Sequence, residues 1–499
     1  MKADVLFINP VLEQVVGLTL CDEGQQNVAS LGLCVLASSL GREGYKTEII
    51  DLDAFGYSER DVLKYIDDKK PSIIGIHTTL LSLKNSYHLV KHLKEANRDN
   101  MYEILLGGPH ITTVPETVKE MGLRYGMMGD SDESIVKFCK YIIDKEGNIS
   151  DIPGLINTNN DTVKITPQIP LKNLDNLPTA DYSLFLRKDK GWGTLWIDGV
   201  RGCTYNCSFC PTPLLRGRRV IYKSCPLVIE DMKEIVSKYS PKIVEFAAEN
   251  LTHKRDWILQ FCRMKKRENI KVKWGGFANI NNLDKEMIKE MAESGCVTLF
   301  FGIESGNEKI REKIGKKIEL TKCKEILSEC RKSGIFTDCS FIIGLPVAED
   351  VKFQIEEDIK FLKRTKPIYP SCNIYHIMGG TKFYLDLVKE GKIRGDIWRK
   401  FMHGGLLPVH IPDGYTLEDL IRLQVNFFRK HYLCLNLHKL RWVLMDSYFR
   451  KIQLTVLLES IRYEIIKPLI RIYQKFKKGK KCSNRFYLIM ISIFFCFCL

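Results

Sequence analysis

The stretch GVRGCTYNCSFCPTP, residues 199–213, places three cysteines in the spacing C-x-x-x-C-x-x-C: Cys203, Cys207 and Cys210. Three thiols this close together predict a metal centre at which these cysteines leave one ligand position unfilled. A [4Fe–4S] cluster usually takes four cysteine thiolates. A cluster held by only three would leave one iron open to a substrate or a cofactor, and the spacing favours such a cluster.

Structural zinc is the competing interpretation, with Cys225 as a distant fourth ligand. Structural zinc sites usually combine two short cysteine knuckles, or two cysteines with two histidines. No second knuckle follows residue 210, and Cys225 stands where a helix should begin, in SCPLVIEDM. The spacing, with the aromatic Phe209 just before the last cysteine, therefore favours iron and sulfide over zinc.

The segments after the cysteines alternate between strand-like and helical patterns. The strand-like ones are KIVEFAAEN, VKWGGFANI, VTLFFGIES, TDCSFIIGLP and SCNIYHIM. Repeated strand–helix units over about 180 residues predict a full or partial TIM-type (β/α) barrel, whose chemistry takes place at the carboxyl ends of the strands. We expect the cysteine loop at that end, because it directly follows the first predicted strand, GTLWIDGVRGC.

The first third of the chain also alternates, through the strands DVLFIN, KTEIIDLD, PSIIGIHT and YEILLGGPH. This order predicts an α/β, doubly wound (Rossmann-like) parallel sheet that binds a ligand at the carboxyl ends of its strands. Residues 146–190 are rich in Pro, Asn and Asp, and predict a connector with a small hairpin around Asn159 and Asn160. The last hundred residues have amphipathic patterns that predict helices.

The net charge of +15 is concentrated near the end of the chain, where residues 462–485 hold nine Lys or Arg and one acidic residue. Such a concentration suits an anionic surface, either lipid headgroups or nucleic acid. Residues 487–499 are almost wholly apolar and would form a helix of about 20 Å, shorter than the roughly 30 Å core of a bilayer. The tail therefore predicts anchoring at a membrane surface better than a complete span.

The start of the chain, MKADVLFINP, does not have the pattern of a secretory signal. Most of the seventeen cysteines stand singly among apolar residues, which is typical of buried thiols. We therefore expect a reducing cytoplasm and no disulfides.

The cysteines and Phe209 match the motif C-x-x-x-C-x-φ-C with an aromatic residue at φ, and in this the sequence resembles the radical S-adenosylmethionine enzymes. The resemblance implies a [4Fe–4S] cluster on Cys203, Cys207 and Cys210, whose open iron is chelated by S-adenosylmethionine. One electron from the cluster then cleaves this cofactor to a 5′-deoxyadenosyl radical. In such enzymes the cofactor carries the hard chemistry, and the protein sets geometry and excludes water. A flavodoxin or ferredoxin is implied as the electron donor.

Three later strand ends resemble elements that bind S-adenosylmethionine in this family. The implied contacts are Glu249 and Asn250 in EFAAENLT, Glu304 and Ser305 in FFGIESG, Ile343 and Gly344 in FIIGLP, together with Phe209 of the cysteine motif. An ordinary strand end with a polar cap is the alternative for each. The sequence departs from the family pattern at Val347, where glycine is usual, and at Ala278 and Asn279, where arginine is common. These departures leave the detailed pocket open.

The N-terminal domain resembles the cobalamin-binding domains of one subgroup of the family. Gly107 and Gly108, in LLGGPHIT, would let the backbone approach a flat ligand closely. Thr78 and Leu80, in GIHTTLLS, match an S-x-L element of such domains. The resemblance therefore implies that these four residues contact cobalamin.

The loop after the first strand, INPVLEQVVGLTL, lacks the histidine that ligates cobalt in many cobalamin domains. His77 and His110 are the alternative ligands, although polar groups at strand ends more often have structural roles. A nucleotide or flavin domain is the rival interpretation. No G-x-G-x-x-G follows the first strand, which counts against a dinucleotide.

The segment NIYHIMGGTKFYLDLVKEGKI resembles the part that closes the barrel in cyclase-like members of the subgroup. Gly380, Thr381 and Tyr384 match the usual P-G-T-x-x-Y. The same resemblance places Tyr375 and His376 toward the substrate. It identifies no catalytic residue.

These observations predict four segments: a cobalamin-binding domain (1–145), a linker (146–190), a radical barrel (191–395) and a helical C-terminal region (396–499). The expected function is a cobalamin-dependent radical enzyme that methylates an unactivated carbon of a small hydrophobic or natural-product substrate. A radical oxidative cyclase or rearrangement enzyme is the nearest alternative. The alternative that is not an enzyme is a zinc-stabilised protein that binds nucleic acid. The radical enzyme would not need a nucleic acid as a partner. A cytoplasmic location, with the tail on a membrane surface, completes the expectation.

Overall fold

The computed structural model describes residues 3–17, 29–97, 99–159, 162–187, 191–433 and 447–462. Two compact units divide the chain between Tyr415 and Thr416. The first unit holds both predicted sheets, and the second holds helices. Residues 396–415, which we predicted in the helical region, lie in the first unit.

The N-terminal sheet has seven strands in the order β2-β1-β3-β4-β5-β6-β7. Strands β1 to β5 pair in parallel, and β6 and β7 add an antiparallel hairpin at one edge. The apolar runs of the central strands are buried, as expected for a parallel sheet covered on both faces. The strands are β1 Val5–Asn9, β2 Thr47–Asp51, β3 Ile73–His77, β4 Glu103–Gly107, β5 Tyr125–Met127, β6 Leu155–Asn159 and β7 Thr162–Ile165.

Helices connect these strands at the expected places. They are α1 Leu31–Arg42, α2 Leu52–Phe55, α3 Glu59–Lys69, α4 Leu83–Ala96, α5 Pro109–Thr113, α6 Thr117–Glu120 and α7 Ser134–Cys139, followed by a π-helical turn Lys140–Asp144 and a 3₁₀ turn Ile149–Asp151. Sequence signals fix several boundaries. Ser58 begins α3 as a capping box with Asp61, because each side chain bonds the other residue's backbone N–H.

The structure refines two sequence expectations in this domain. The hairpin predicted around Asn159 and Asn160 forms, but its strands β6 and β7 extend the N-terminal sheet, so part of the predicted linker belongs to that sheet. The sequence analysis missed β5, because its run of three residues is too short for an alternation pattern to show.

The second sheet has six parallel strands in the order β15-β14-β13-β12-β11-β8, which is a partial barrel. The α/β fold class predicted from the sequence is confirmed. Its strands are β8 Thr194–Ile197, β11 Ile243–Phe246, β12 Lys273–Ala278, β13 Cys296–Glu304, β14 Phe336–Ile343 and β15 Tyr369–Ile374. A separate antiparallel pair is formed by β9 Val200–Gly202 and β10 Val220–Tyr222. The cysteine loop thus follows β9, and not the barrel strand β8 directly.

The barrel helices lie between the strands as predicted. They are α8 Thr212–Arg216, α9 Cys225–Tyr239, α10 Arg255–Arg267, α11 Lys285–Glu293, α12 Glu308–Lys313, α13 Leu320–Lys332, α14 Val351–Thr365, α15 Lys382–Lys389 and α16 Ile397–Met402, with 3₁₀ turns Tyr182–Leu184 and Ile280–Asn282. One hydrophobic cluster contains Leu6 and Ile76 of the N-terminal sheet together with Leu345, Tyr375 and Trp398. The two sheets of the first unit therefore share a core.

The second unit contains α17 Leu417–Tyr432 and α18 Ser447–Ile461. Thr416 begins α17 with a capping box completed by Asp419, and Gln453 Nε2 donates to the Tyr432 carbonyl at 2.8 Å. No helix in the described ranges is long and apolar enough to cross a membrane. The basic and apolar tail, residues 463–499, lies outside the described residues, so its predicted contact with a membrane stays a prediction.

Candidate active site

The cysteine loop is held by backbone bonds to distant parts of the barrel. Ser208 N–H donates to the Ile314 carbonyl at 3.0 Å, and the Ser208 carbonyl accepts from Phe383 N–H at 3.1 Å. Within the loop, Cys210 N–H donates to the Cys207 carbonyl at 3.0 Å. All three cysteines are partly exposed, in contrast to the other described cysteines, which are buried. The loop therefore presents its thiols to an open space.

That space is a cavity of about 590 Å³, which we call the cluster cavity. It is lined by the three cysteines and extends along the inner face of the barrel. Of the residues predicted to bind S-adenosylmethionine, Phe209, Glu249, Asn250 and Glu304 line it. Cavities of this size hold small-molecule ligands in many enzymes.

The thiols suit an iron–sulfur cluster. Burial raises the pKa of Cys207 to about 11 and also raises the pKa of Cys203, so these thiolates need a bound cation to form at neutral pH. In the part of the chain that the structure describes, no three His, Cys, Asp or Glu side chains converge on one ion-sized point. Cysteine thiolates are the ligands that hold iron–sulfur clusters in proteins.

Cys225, the fourth ligand of the zinc interpretation, does not line the cluster cavity. It is the first residue of α9 and is buried, and its thiol donates to the Trp257 carbonyl at 3.4 Å. The role that zinc would require of it is therefore not supported by its position.

Glu249 and Asn250 occupy the loop after β11, at the carboxyl end of the barrel strands. Glu249 Oε2 accepts from the Gly202 N–H at 2.6 Å, and Oε1 accepts from Arg216 Nε at 3.3 Å. Asn250 is buried and makes only long contacts, at 3.4 and 3.5 Å, with Thr252 and Asn282. Glu249 thus anchors the residue just before the cysteines, while Asn250 keeps hydrogen-bonding capacity for a ligand.

Glu304, at the end of β13, pairs with Lys316 at 2.7 Å inside the cluster cavity. Burial would lower the pKa of Lys316, but the Glu304 carboxylate and the nearby Cys207 raise it, so the ammonium stays charged. A Cβ on Gly302 would come within 2.5 Å of Glu304 Oε1 and Lys316 Nζ, so a larger residue there would displace the pair from these positions. Glu304 itself has a φ of 69°, which is uncommon for a residue with a side chain and typical of functional sites.

Ser305, Ile343 and Gly344 do not line the cluster cavity. Ser305 is fully buried, and its hydroxyl donates to Asp358 at 2.8 Å and accepts from Asn307 N–H at 3.1 Å. Ile343 points into the core, and the Gly344 carbonyl accepts a hydrogen bond from His410. Their contacts with S-adenosylmethionine remain predictions.

Gly107 and Gly108 line a second cavity of about 240 Å³ at the carboxyl ends of the N-terminal strands, which we call the glycine cavity. Gly108 has a φ of +102°, and a Cβ there would lie 2.7 Å from the Thr78 carbonyl oxygen, so only glycine fits. Gly107 is different, because its Cβ position is open except for a carbonyl oxygen at 4.0 Å. The backbone at Gly107 and Gly108 therefore has no side chain that would obstruct the approach of a flat ligand.

The other predicted cobalamin residues are less exposed. Leu80 is buried in the core, and Thr78 is fully buried with a hydroxyl that has no partner among the described residues. His110 is buried near Thr117 (3.2 Å) and the ring of Trp398, which is a structural role. His77 lines the glycine cavity, and burial lowers its pKa to about 4, so its imidazole is neutral.

A third cavity of about 640 Å³, which we call the bridging cavity, lies next to both of the others. It shares Leu31, His77 and Ala247 with the glycine cavity, and Glu249 and Phe277 with the cluster cavity. Three neighbouring cavities therefore lie between the strand ends of the N-terminal sheet and the cysteine loop.

A buried ionic network lies beside this space. Arg201, two residues before Cys203, bonds Asp198 (2.9 Å), Asp130 (3.0 Å) and Asp132 (2.9 Å). Asp130 and Asp132 belong to the N-terminal domain, so Arg201 joins the two sheets. Burial would lower the pKa of Arg201, but Asp198 and Asp132 raise it well above its usual range.

Replacing Arg201 should cost much stability, because three buried carboxylates would lose their shared cation. We expect Arg201→Met to lower the free energy of unfolding by about 3–5 kcal/mol, measured by urea denaturation. The control is Arg255→Met, because Arg255 pairs with Asp284 and Glu286 at the exposed surface and should contribute far less to stability. Equal effects of the two substitutions would contradict the role given to the network.

Sequence reasoning missed several residues that line the cluster cavity. Lys316 follows α12 and reaches the cysteines only because the Ile314 carbonyl binds the cysteine loop. Asp338, Ser340 and Ser371 also line the cavity. Their signal was present, since they interrupt apolar strands at every second position, which is the pattern of one face of a strand.

Two family models match the chain in the same order as the two sheets. The model of the B12 binding domain matches residues 17–138, and that of the radical SAM superfamily matches residues 197–362.

Comparison with curated proteins gives relatives along most of the chain. An uncharacterized methyltransferase of Pyrococcus horikoshii is 29% identical over 81% of this chain and 87% of its own length. Bacteriochlorophyllide d C-12(1)-methyltransferase of Chlorobaculum tepidum is 22% identical over 76% of this chain and 81% of its own length. Anaerobic magnesium-protoporphyrin IX monomethyl ester cyclase of Cereibacter sphaeroides is also 22% identical, over 80% of this chain and 66% of its own length.

Among solved structures, the radical S-adenosylmethionine methyltransferase TsrM from Kitasatospora setae, with cobalamin and a [4Fe-4S] cluster bound, has a similar fold. The TM-score is 0.68 at 14% identity, covering 88% of this chain and 90% of that one.

Proposed function

We propose that this chain, which belongs to the radical S-adenosylmethionine superfamily and carries a B12-binding domain, methylates an unactivated carbon of a small molecule. Its similarity to curated methyltransferases supports the proposal. It is an enzyme whose cofactors are a [4Fe–4S] cluster, S-adenosylmethionine and cobalamin. The observation that supports the proposal is the bridging cavity, which borders both the glycine cavity and the cluster cavity. A carbon radical must meet its methyl donor without diffusing away, and such a space permits this.

When bound, the cluster and S-adenosylmethionine supply the radical that removes a hydrogen atom, and cobalamin supplies the methyl group. The residues of this chain hold these groups in place. Cys203, Cys207 and Cys210 would hold three irons, and the backbone at Gly107 and Gly108 would lie against the face or edge of the corrin. The barrel wall between them would keep water from the reacting carbon.

Lys316 is the strongest candidate partner of the S-adenosylmethionine carboxylate. Its ammonium group lines the cluster cavity and lies close enough to Cys207 to oppose the rise in the pKa of that thiol. Glu304 fixes the position of Lys316 through their ion pair. The Lys316 ammonium could then bind the carboxylate of the methionine part of S-adenosylmethionine, and the Glu304 carboxylate could bind its amino group.

We expect Lys316→Met to raise the dissociation constant of S-adenosylmethionine by about tenfold or more, because a charge-assisted hydrogen bond contributes roughly 1.5–3 kcal/mol. Equilibrium binding to the anaerobically reconstituted protein measures this, with iron and sulfide contents checked in the same sample. Lys317→Met is the matched control, since Lys317 is exposed and lines no part of the cavity. An unchanged dissociation constant for Lys316→Met would refute this role.

A radical oxidative cyclase is a second candidate, favoured by the similarity to the cyclase of Cereibacter sphaeroides. The two reactions differ in the fate of the methyl group. A methyltransferase passes the methyl group of S-adenosylmethionine through cobalamin, whereas a cyclase leaves it unused.

One labelling experiment tests the proposal. The protein, reconstituted without oxygen, is given reductant, cobalamin and S-adenosylmethionine with an isotopic label in its methyl group. We expect 5′-deoxyadenosine to form only with reductant, and the label to appear on cobalamin. Formation of 5′-deoxyadenosine with no label on cobalamin would overturn methyl transfer and leave the cyclase. Formation of neither product would overturn both candidates.

The remaining partners follow from the same proposal. Electrons would come from a low-potential carrier such as a flavodoxin or ferredoxin. A cytoplasmic location is supported by the oxygen-sensitive cluster, and a membrane contact by the sequence of residues 463–499 alone. A nucleic acid is not needed as a partner.

A further inference from the structure

The inner wall of the barrel carries polar side chains below the level of the cofactor residues. Along β14, the residues at alternate positions from Thr337 to Ile343 are buried in the core. The intervening side chains face the lumen, because side chains alternate across a strand. Asp338 and Ser340 belong to this second set, and with Ser371 and Asn373 of β15 they line the cluster cavity. A polar wall thus continues into the barrel, away from the cysteine loop.

Asp338 is the charged group of this wall. Its Oδ1 accepts from Ser371 Oγ at 2.8 Å, and no basic side chain among the described residues pairs with it. Burial raises its pKa to about 6, with the Ser371 hydroxyl opposing the shift, so the carboxyl is mostly ionised at neutral pH. An ionised carboxylate away from water costs free energy unless it is paired. Apart from the Ser371 hydroxyl, the described residues offer this carboxylate no hydrogen-bond donor or cation.

Two neighbouring features complete the wall. His376 lines the same cavity, its Nε2 has no hydrogen-bond partner among the described residues, and burial keeps the ring neutral by lowering its pKa to about 4. On the side of β12 and β13, Phe277 and Phe300 stack with centroids 5.0 Å apart and an interplanar angle of 29°. The cavity therefore has a polar side and a flat aromatic side.

The position of Asp338 relative to the cofactor residues follows from strand register. Phe300 pairs with Asp338, and Gly302 pairs with Ser340. The Ser340 hydroxyl lies 3.5 Å from Glu304 Oε2, so Ser340 is level with the Glu304–Lys316 pair. Asp338 is two residues deeper, which is about 7 Å along a strand. A molecule held at Asp338 would extend up toward the cysteine loop and its cofactor.

We propose that Asp338, supported by Ser371, is the specificity-determining residue of the substrate site, and that it selects a substrate with an amine or other hydrogen-bond donor next to a flat apolar group. The donor group pairs with the Asp338 carboxylate, and the flat group lies on the Phe277–Phe300 stack. This assignment rests on the proposed function, because it takes the barrel lumen as the place where the substrate meets the radical. It narrows the substrate class from hydrophobic molecules in general to those with a donor at one end.

The test uses three small probes that share a phenyl ring and differ in their polar end: 2-phenylethylamine, 2-phenylethanol and 3-phenylpropionate. Each is titrated by NMR saturation transfer into the full chain loaded with cluster, S-adenosylmethionine and cobalamin. We expect 2-phenylethylamine to bind at least about tenfold more tightly than 3-phenylpropionate, with the alcohol between them, because hydrogen bonds to a charged group contribute roughly 1.5–3 kcal/mol. Equal binding of amine and acid, or no binding of the amine, would overturn the proposal.

Asp338→Asn should remove the preference for the amine while the probes keep their contact with the ring stack. Asp256→Asn is the matched control, because Asp256 is an exposed residue of α10 on the outside of the barrel. S-adenosylmethionine binding and cluster content are measured for both variants, so that a folding defect is recognised. Retention of the amine preference in Asp338→Asn would also overturn the proposal. Production of 5′-deoxyadenosine, assayed without probes, reports separately on the proposed function.

Discussion

Cys207→Ala should abolish the iron–sulfur cluster and, with it, all production of 5′-deoxyadenosine, while cobalamin binding persists. Cys207 is one of three cluster ligands, and two thiolates do not hold a cubane that already lacks a fourth. The expected iron and sulfide contents are close to zero, and 5′-deoxyadenosine should fall to the level of a protein-free control. No cysteine is among the described residues that line the glycine cavity, so cobalamin should bind as it does to the wild type.

Cys225→Ala is the control for this experiment. Cys225 is buried at the start of α9, away from the cluster cavity, so its replacement should leave iron and sulfide unchanged. A zinc site with Cys225 as fourth ligand predicts the opposite, namely loss of metal from both variants. Loss of cobalamin from Cys207→Ala would also contradict the account, because it would mean that the two sites are not separate.

Gly107→Leu should block cobalamin binding without unfolding the protein. Gly107 lines the glycine cavity, its φ is not in the left-handed region, and its Cβ position is free of close neighbours. A Cβ can therefore be added at residue 107 without a close contact, and the branched side chain of a leucine would occupy part of a cavity of only about 240 Å³. We expect the affinity for cobalamin to fall by at least about tenfold, because a steric conflict that costs about 1.4 kcal/mol raises the dissociation constant tenfold. Spectroscopic titration with hydroxocobalamin measures it.

The products of Gly107→Leu carry a second expectation. The cluster cavity is unchanged in this variant, so 5′-deoxyadenosine should still form, whereas the methyl label should no longer reach cobalamin. Gly41→Leu is the control, because Gly41 is an exposed position of α1 with open space around it. Normal cobalamin affinity in Gly107→Leu would contradict the placement of cobalamin against this strand end.

Much of the architecture could be predicted because it is determined by short segments of the sequence. Alternation of strands and helices predicted both sheets, and β5 was missed only because three residues show no period. The cysteine spacing predicted the cluster loop, and the family resemblance implied Glu249, Asn250 and Glu304, which line its cavity. Each of these signals lies within a few residues of the chain.

The rest of the site depends on contacts that are distant in sequence. Ser305 looked available for a ligand, but its hydroxyl is bound by Asp358 of α14, which comes 53 residues later. Lys316 belongs to no motif in the sequence, and the bond between Ile314 and Ser208 brings it to the cysteines. The role of the bridging cavity could not be predicted at all, since it arises where the two sheets of the first unit meet.

The central claim is that one chain carries both an open iron–sulfur cluster and cobalamin. Metal, sulfide and cobalamin analysis of the protein purified and reconstituted without oxygen tests it most directly. The account predicts about four iron and four sulfide per chain, equimolar cobalamin, and both optical spectra in the same sample. A colourless protein that holds zinc and neither sulfide nor cobalamin would contradict it.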